Sequence, residues 1–220
     1  MMTDRTHRFT RPGAGPILLL RFSGDLTTKA DATRRQMTRR LVDNLRESIK
    51  ASGRPARVTQ SRNRLYVELE PAVAGRGPSD EEMVARLGRV FGVQSVSLTH
   101  AAAWRSLEDV VREGVAFGLP FVRGKRFGIR ARRMGERHEV RLRSAEIQEQ
   151  LGAALRPESA GVDLSDPEVT IHVEVDAELA YYFVAKQRGA GGLPLGTQGR
   201  AVSLLSGGFD SPVEIGRAHV

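Results

Sequence analysis

The chain has 220 residues, 40% hydrophobic and 27% charged, with 34 Lys+Arg against 26 Asp+Glu and a net charge of +8. Those proportions are ordinary for a globular protein of one large or two small domains. The absence of cysteine excludes a disulfide framework, thiol catalysis and thiolate metal sites within these residues. No run of about 18 apolar residues occurs, so a membrane-spanning helix is excluded. Residues 1–16 lack the apolar stretch of a signal peptide. They are expected to form a mobile tail on a cytoplasmic protein.

Ile17 to Phe22, "ILLLRF", has the length and apolarity of a buried strand. From Thr28 to Ala51, Met37, Leu41, Leu45 and Ile49 recur every four positions and Val42 widens the stripe, predicting an amphipathic helix that "SGRP" stops. "ARVTQ" and "RLYVELE", joined by "SRN", predict a hairpin. Ser79 stands three residues before Glu82, the spacing of a capping box, opening a helix through Met83, Val84, Leu87 and Val90. "VQSVSLTH" follows as a strand. The order strand, helix, strand, strand, helix, strand is that of a ferredoxin-like α+β domain, expected over residues 17–103.

A second α/β unit is expected over residues 104–188, with Trp104 anchoring its junction with the first. Ser106 caps a helix over "LEDVVREGVAF". A strand from Phe127 to Arg133 and another around His138 to Leu142 come next. Ser144 then caps a helix bearing Ile147, Leu151 and Leu155. "VTIHVEV" alternates cleanly and "ELAYYFVA" closes the unit. Tyr181 and Tyr182 are adjacent on that strand and must face opposite sides. Residues 189–200, with "GAGGLPLG", are expected to be a linker too weakly apolar for a core. "AVSLL" reads as a new strand.

The positive charge is concentrated. Between Phe121 and Arg143 nine Lys or Arg stand against two Glu, which creates a field attractive to polyanions. A solvated arginine-rich face is the competing reading. The five histidines never pair at ligand spacing, so no metal site is indicated.

"SLLSGGFDSPV" poses a different chemistry. A strand that runs into Ser206, Gly207 and Gly208 can turn sharply and point consecutive backbone N–H groups into one concavity, an anion cradle. Ser206 and Ser211 can donate hydroxyl hydrogen bonds to phosphate oxygens. Asp210 would be repelled by phosphate, and fits the orientation of the loop or a bridging Mg²⁺.

Taken together, these segments resemble the N-terminal half of the tRNA uracil 4-sulfurtransferases, or 4-thiouridine synthetases. "RFGIRARRMGERHEVRLRSAEIQEQLGAAL" and "VDLSDPEVTIHVEVDAELAYYF" resemble a THUMP domain, and "GGLPLGTQGRAVSLLSGGFDSPV" is similar to the family's linker and PP-loop. The first domain matches more loosely, at "RFSGDLTTKA". The resemblance implies tRNA binding, at the acceptor region, by Lys125, Arg126, Arg130, Arg132, Arg133, Arg137 and His138. It implies ATP binding, with Mg²⁺, by Leu204, Leu205, Ser206, Gly207, Gly208, Asp210 and Ser211 in the first part of a PP-loop domain (201–213).

The implied activity is ATP-dependent thiolation of a tRNA uridine, with a persulfide-donating cysteine desulfurase as partner. A sulfur-carrier protein of thiamine thiazole synthesis and a homodimer partner are further implications. No catalytic residue is expected within this chain, since the persulfide cysteine would lie in a further domain. A non-catalytic THUMP-type RNA-binding module, or another PP-loop tRNA-modifying enzyme, is the alternative. "EIGRAHV" (Glu214 to Val220) departs from the family pattern, and its codons can spell a common sequencing-adapter sequence. It is expected to be an artefact that truncates the PP-loop domain.

Overall fold

The structure is a computed structural model that describes residues 15–61, 64–71, 77–134, 140–199 and 213. In the first unit, β1 (Ile17–Phe22) leads through a one-turn helix α1 (Gly24–Thr27) into α2 (Asp31–Ser52). The hairpin β2 (Ala56–Ser61) and β3 (Arg64–Leu69) follows, then α3 (Asp80–Gly88) and β4 (Val93–Ala103). The strand order β2-β3-β1-β4 is antiparallel throughout, the ferredoxin-like arrangement. The local reasons are those in the sequence. Met37, Leu41, Val42, Leu45 and Ile49 form the buried stripe of α2, which Gly53 ends at φ 74°, a conformation that glycine adopts without strain. Ser79 and Glu82 form the reciprocal capping box of α3.

β1 is buried on both sides, which is why its four leading residues are all apolar. Leu18, Leu20 and Phe22 face the core beneath α2 and α3, with Leu65, Val67 and Val96. Ile17 and Leu19 face the opposite side, where Tyr66, Leu179, Tyr181 and Phe183 cover them.

The second unit is built on the same sheet. β4 runs three residues past the predicted His100: Val93 to Thr99 pair with β1, and His100 to Ala103 pair with β8 (Leu179–Phe183). One strand thus belongs to both units, and the sheet continues β4-β8-β7-β5-β6. β7 (Val169–Val175) is antiparallel to β8 and parallel to β5 (Arg126–Arg133), which also pairs with the short β6 (Gly161–Val162). α4 (Leu107–Val122) and α5 (Ser144–Leu155) cover one face.

α4 extends past the predicted Phe117 and through Pro120. Its buried face repeats every fourth residue, Val110, Gly114, Gly118 and Val122, so the last turn is drawn onto the core. Two further differences concern the segment before α5. Among its described residues, Val140 to Leu142 form no strand; Val140 is instead fully buried beneath the helices. Ser144 is the first helical residue rather than the cap; the Arg143 N–H donates to Glu146 Oε2 at 3.3 Å, satisfying a helix-end donor one position earlier.

The segment after β8 is docked rather than spanning. β9 (Gln187–Arg188) pairs with Ser95 and Val96 of β4. Ala190 N–H donates to Gly88 O at 2.8 Å and Gly191 N–H to Val93 O at 2.8 Å. Ser23 Oγ donates to Gly192 O, Arg40 Nε to Leu195 O at 3.0 Å, and Leu193 packs on the first core. The segment is held mainly through its backbone, which is why it needs little apolar surface.

Candidate nucleic-acid interface

β5 sorts its side chains by strand alternation. Phe127, Ile129 and Ala131 enter the core under α4 and α5, while Arg126, Arg130 and Arg132 stand exposed on the helix-free face. Arg126 is therefore the first residue of the strand, not part of the preceding turn, and shares a face with the other two. Arg133 points to the helix side, where Nη1 donates to Val140 O at 3.5 Å. Lys125 is exposed in the turn. Arg137 and His138 lie outside the described residues, as do Leu204, Leu205, Ser206, Gly207, Gly208, Asp210 and Ser211.

The exposed arginines differ in their engagements. Arg126 Nη1 lies 3.1 Å from Asp163 Oδ2 and its Nε 3.8 Å from Glu168. Arg130 Nη2 donates to Leu164 O at 2.6 Å, which leaves its charge uncompensated by that contact. In register across the sheet, Arg130 stands beside His172 and Arg132 beside Glu174, and these in turn beside Phe183 and Tyr181.

The helix-free face of the first unit meets this surface. Arg21 of β1 donates to Glu174 Oε1 at 2.6 Å and to Ser97 Oγ at 3.0 Å, and Arg64 of β3 reaches Glu174 Oε2 at 3.2 Å. Glu174 is only 3% exposed. Arg21 lies over the Phe183 ring at 5.0 Å and Lys186 at 5.7 Å, while His172 stacks on that ring at 5.0 Å. Tyr66 stacks on Tyr181 at 5.0 Å. The seam between the units is thus a layer of aromatic rings and cations organised round one buried carboxylate.

Electrostatics follow from that crowding. Burial favours the neutral acid at Glu174, but the Arg21 and Arg64 guanidiniums outweigh it and hold the carboxyl below its ordinary value. Burial, then Lys186 and Arg21, push His172 down to about 4 against the pull of Glu174, so the ring is neutral near pH 7. Burial and Arg21, with Arg132 and Arg64 adding to them, lower Lys186. The exposed Arg130, Arg132 and Lys186 give this surface a field that attracts anions. Chemically its exposed cations can bind phosphates, while the rings of the seam are buried beneath them; among the described residues no group of His, Cys, Asp and Glu is arranged to hold a metal ion.

The sequence singled out the β5 arginines but gave no sign of Arg64, Lys186 or His172, which the fold gathers beside them together with Arg21. Arg21 offered one signal: an arginine inside an otherwise apolar strand. Tyr181 and Tyr182 do face opposite sides, one in the seam and one in the second core, and the Tyr182 hydroxyl donates to Val110 O at 2.8 Å. Trp104 Nε1 donates to Asp176 O at 3.0 Å, which places it where β4 leaves the sheet.

Residues 17–97 match the ThiI ferredoxin-like domain and residues 105–184 the THUMP domain. The chain is 35% identical over 200 residues to the tRNA sulfurtransferase of Desulfurococcus amylolyticus, covering 90% of this chain and 39% of that protein. It is 38% identical over 199 residues to the probable tRNA sulfurtransferase of Aeropyrum pernix, covering 90% and 48%. It therefore spans less than half the length of either relative. Among solved structures, PH1313 from Pyrococcus horikoshii superposes with a TM-score of 0.71 at 28% identity, over 86% of this chain and 60% of that one. A 4-thiouridine synthetase–RNA complex with bound ATP gives 0.66 at 26% identity, over 93% and 50%.

Proposed function

We propose that the chain belongs to the tRNA sulfurtransferase family, whose N-terminal part it matches, and that it is the tRNA-binding half of an ATP-dependent 4-thiouridine synthetase. The observation that carries the reading is the exposed cationic row of Arg130, Arg132 and Lys186 on the helix-free sheet face, beside the aromatic seam. An A-form RNA helix displays phosphates and 2′-hydroxyls rather than legible major-groove edges, so such a surface recognises shape and backbone. The solved 4-thiouridine synthetase–RNA complex with bound ATP supports the same partners for this chain.

In this reading ATP activates the uridine O4 as an adenylate with loss of pyrophosphate, the terminal sulfur of a persulfide displaces AMP to give a disulfide-linked adduct, and a further thiol cleaves that S–S bond, forming a disulfide with the carrier sulfur and freeing the 4-thiouridine. The ATP site would be the loop from Leu204 to Ser211, on sequence alone, with Mg²⁺ neutralising the phosphates. The acceptor region of tRNA, a cysteine desulfurase, a sulfur-carrier protein and a second subunit are the partners this reading entails. Filter binding of tRNA tests it. Replacing Lys125, Arg126, Arg130 and Arg132 with alanine weakens binding if the basic face carries it; unchanged affinity overturns the assignment.

A further inference from the structure

Between β6 and β7 the chain makes a short turn, residues 163–168, that is acidic where the neighbouring strand is basic: Asp163, Asp166 and Glu168 against Arg126, Arg130 and Arg132. By charge alone such a turn opposes the binding of a polyanion to β5. Its geometry points the other way. Both ends are fastened to the strand: Asp163 N–H donates to Phe127 O at 2.8 Å, and Glu168 Oε2 accepts from Arg126 N–H at 2.8 Å. Between them the turn lies directly on Gly128, where a Cβ would come within 2.9 Å of Asp163 O and 3.3 Å of Pro167 Cγ. Only a residue without a side chain lets the two backbones approach so closely.

Asp163 organises the turn from within. Its Oδ1 accepts from Ser165 N–H at 2.9 Å and from Asp166 N–H at 3.0 Å, while Oδ2 lies 3.1 Å from Arg126 Nη1. The Asp166 and Ser165 amides hold its carboxyl below the ordinary carboxylate value, so it is charged near pH 7. The Leu164 C=O and the Ser165 N–H belong to one planar trans peptide and point in opposite directions. With the N–H turned to Asp163, the carbonyl faces away from it, and it accepts from Arg130 Nη2 at 2.6 Å. A carbonyl carries no net charge, so Arg130 is held in one place without being neutralised. Its remaining donors are fixed relative to that bond by the planar guanidinium. A side chain ordered in advance does not lose that freedom on binding. Arg126, by contrast, faces Asp163 and Glu168, and its charge is met within the turn.

We propose that Asp163 is a positioning residue for RNA binding, acting through the Leu164–Ser165 peptide to aim Arg130 at a phosphate. The inference rests on the reading of the helix-free face as the RNA-binding surface.

Filter binding of tRNA by the full chain across a salt series tests it, because charge and position predict opposite signs. Asp163→Asn and Asp163→Ala remove the same negative charge, which by itself strengthens binding to a polyanion. Asparagine keeps a side-chain oxygen that accepts from the turn amides, and alanine does not. Asp163→Asn is expected to bind at least as tightly as the unaltered chain, and Asp163→Ala roughly threefold to tenfold more weakly. The slope of log K against log salt in Asp163→Ala should be shallower by roughly 1, as in Arg130→Ala. Adding Asp163→Ala to Arg130→Ala should bring no further loss, whereas a general loosening of the fold would weaken binding in either background. Unchanged or tighter binding by Asp163→Ala, equal losses in the alanine and asparagine variants, or a loss that persists without Arg130 overturns the proposal and leaves the RNA surface standing. An Arg130→Ala variant that alters neither affinity nor slope overturns both.

Discussion

Glu174 is the residue on which the seam turns, because its carboxylate faces Arg21 and Arg64 with almost no access to water. Removing one member of a buried ion pair leaves the others desolvated and uncompensated. Glu174→Gln is therefore expected to destabilise the fold by about 3–5 kcal/mol, measured by urea denaturation; a loss within experimental error would show that the arginines rehydrate freely. His172 gives a second, pH-dependent prediction. The unfolded imidazole takes up its proton at 6.5 and the folded one only at about 4, so the unfolded state binds more protons between those values. Stability then falls as pH drops from 6.5 to 4, and His172→Phe should flatten that slope. The folded Glu174 carboxyl is held below 4.5, so its contribution is present above that value and lost as pH falls below it. Denaturation midpoints of both proteins across pH 4–7 provide the check; identical slopes would remove His172 from the account. Neither residue could have been singled out from the sequence. Each occupies an alternate position in "VTIHVEV", which reads as the solvent side of a strand until the opposite unit covers it.

At the scale of elements, the segment from Gln187 to Leu195 ties the end of the second unit back to β4 and α2. Gly189 sits so close to β4 that a Cβ would collide with the Val93 carbonyl oxygen, a backbone atom that cannot move aside cheaply. Gly189→Ala is expected to cost about 1–3 kcal/mol, the usual range for overpacking. It should also release the segment, read as faster hydrogen exchange at Ala190 and Gly191 with unchanged exchange in α5. Uniform acceleration throughout the protein would instead mean that the segment opens only with the whole fold. Repeating side chains made α2, α3 and β7 legible, since a 3.6- or 2-residue period survives in sequence, and β1 stood out as a short apolar run buried on both sides. The docked segment was not legible because backbone amides meeting carbonyls leave no such pattern. The one-turn α1, β6 and β9 are short for the same reason: tertiary partners, rather than a run of suitable residues, hold them.

For the whole molecule, one sheet carries two units, and its helix-free face gathers cations from strands far apart in the chain. The concentrated charge of β5 was visible in the sequence because its arginines are neighbours. Arg21 and Arg64 were not, because 153 and 110 residues separate them from their shared partner Glu174. The account's central claim is that this combined face grips an RNA backbone. If about four to six phosphates are neutralised, log K for tRNA should fall against log salt with a slope of roughly −3 to −5. The direct measurement is that slope for the unaltered chain and for Arg130→Ala, Arg132→Ala and Lys186→Ala combined. The account predicts weaker binding and a slope shallower by roughly 2–3 in the triple variant; a slope near zero in the unaltered chain, or the same slope in both proteins, would contradict it.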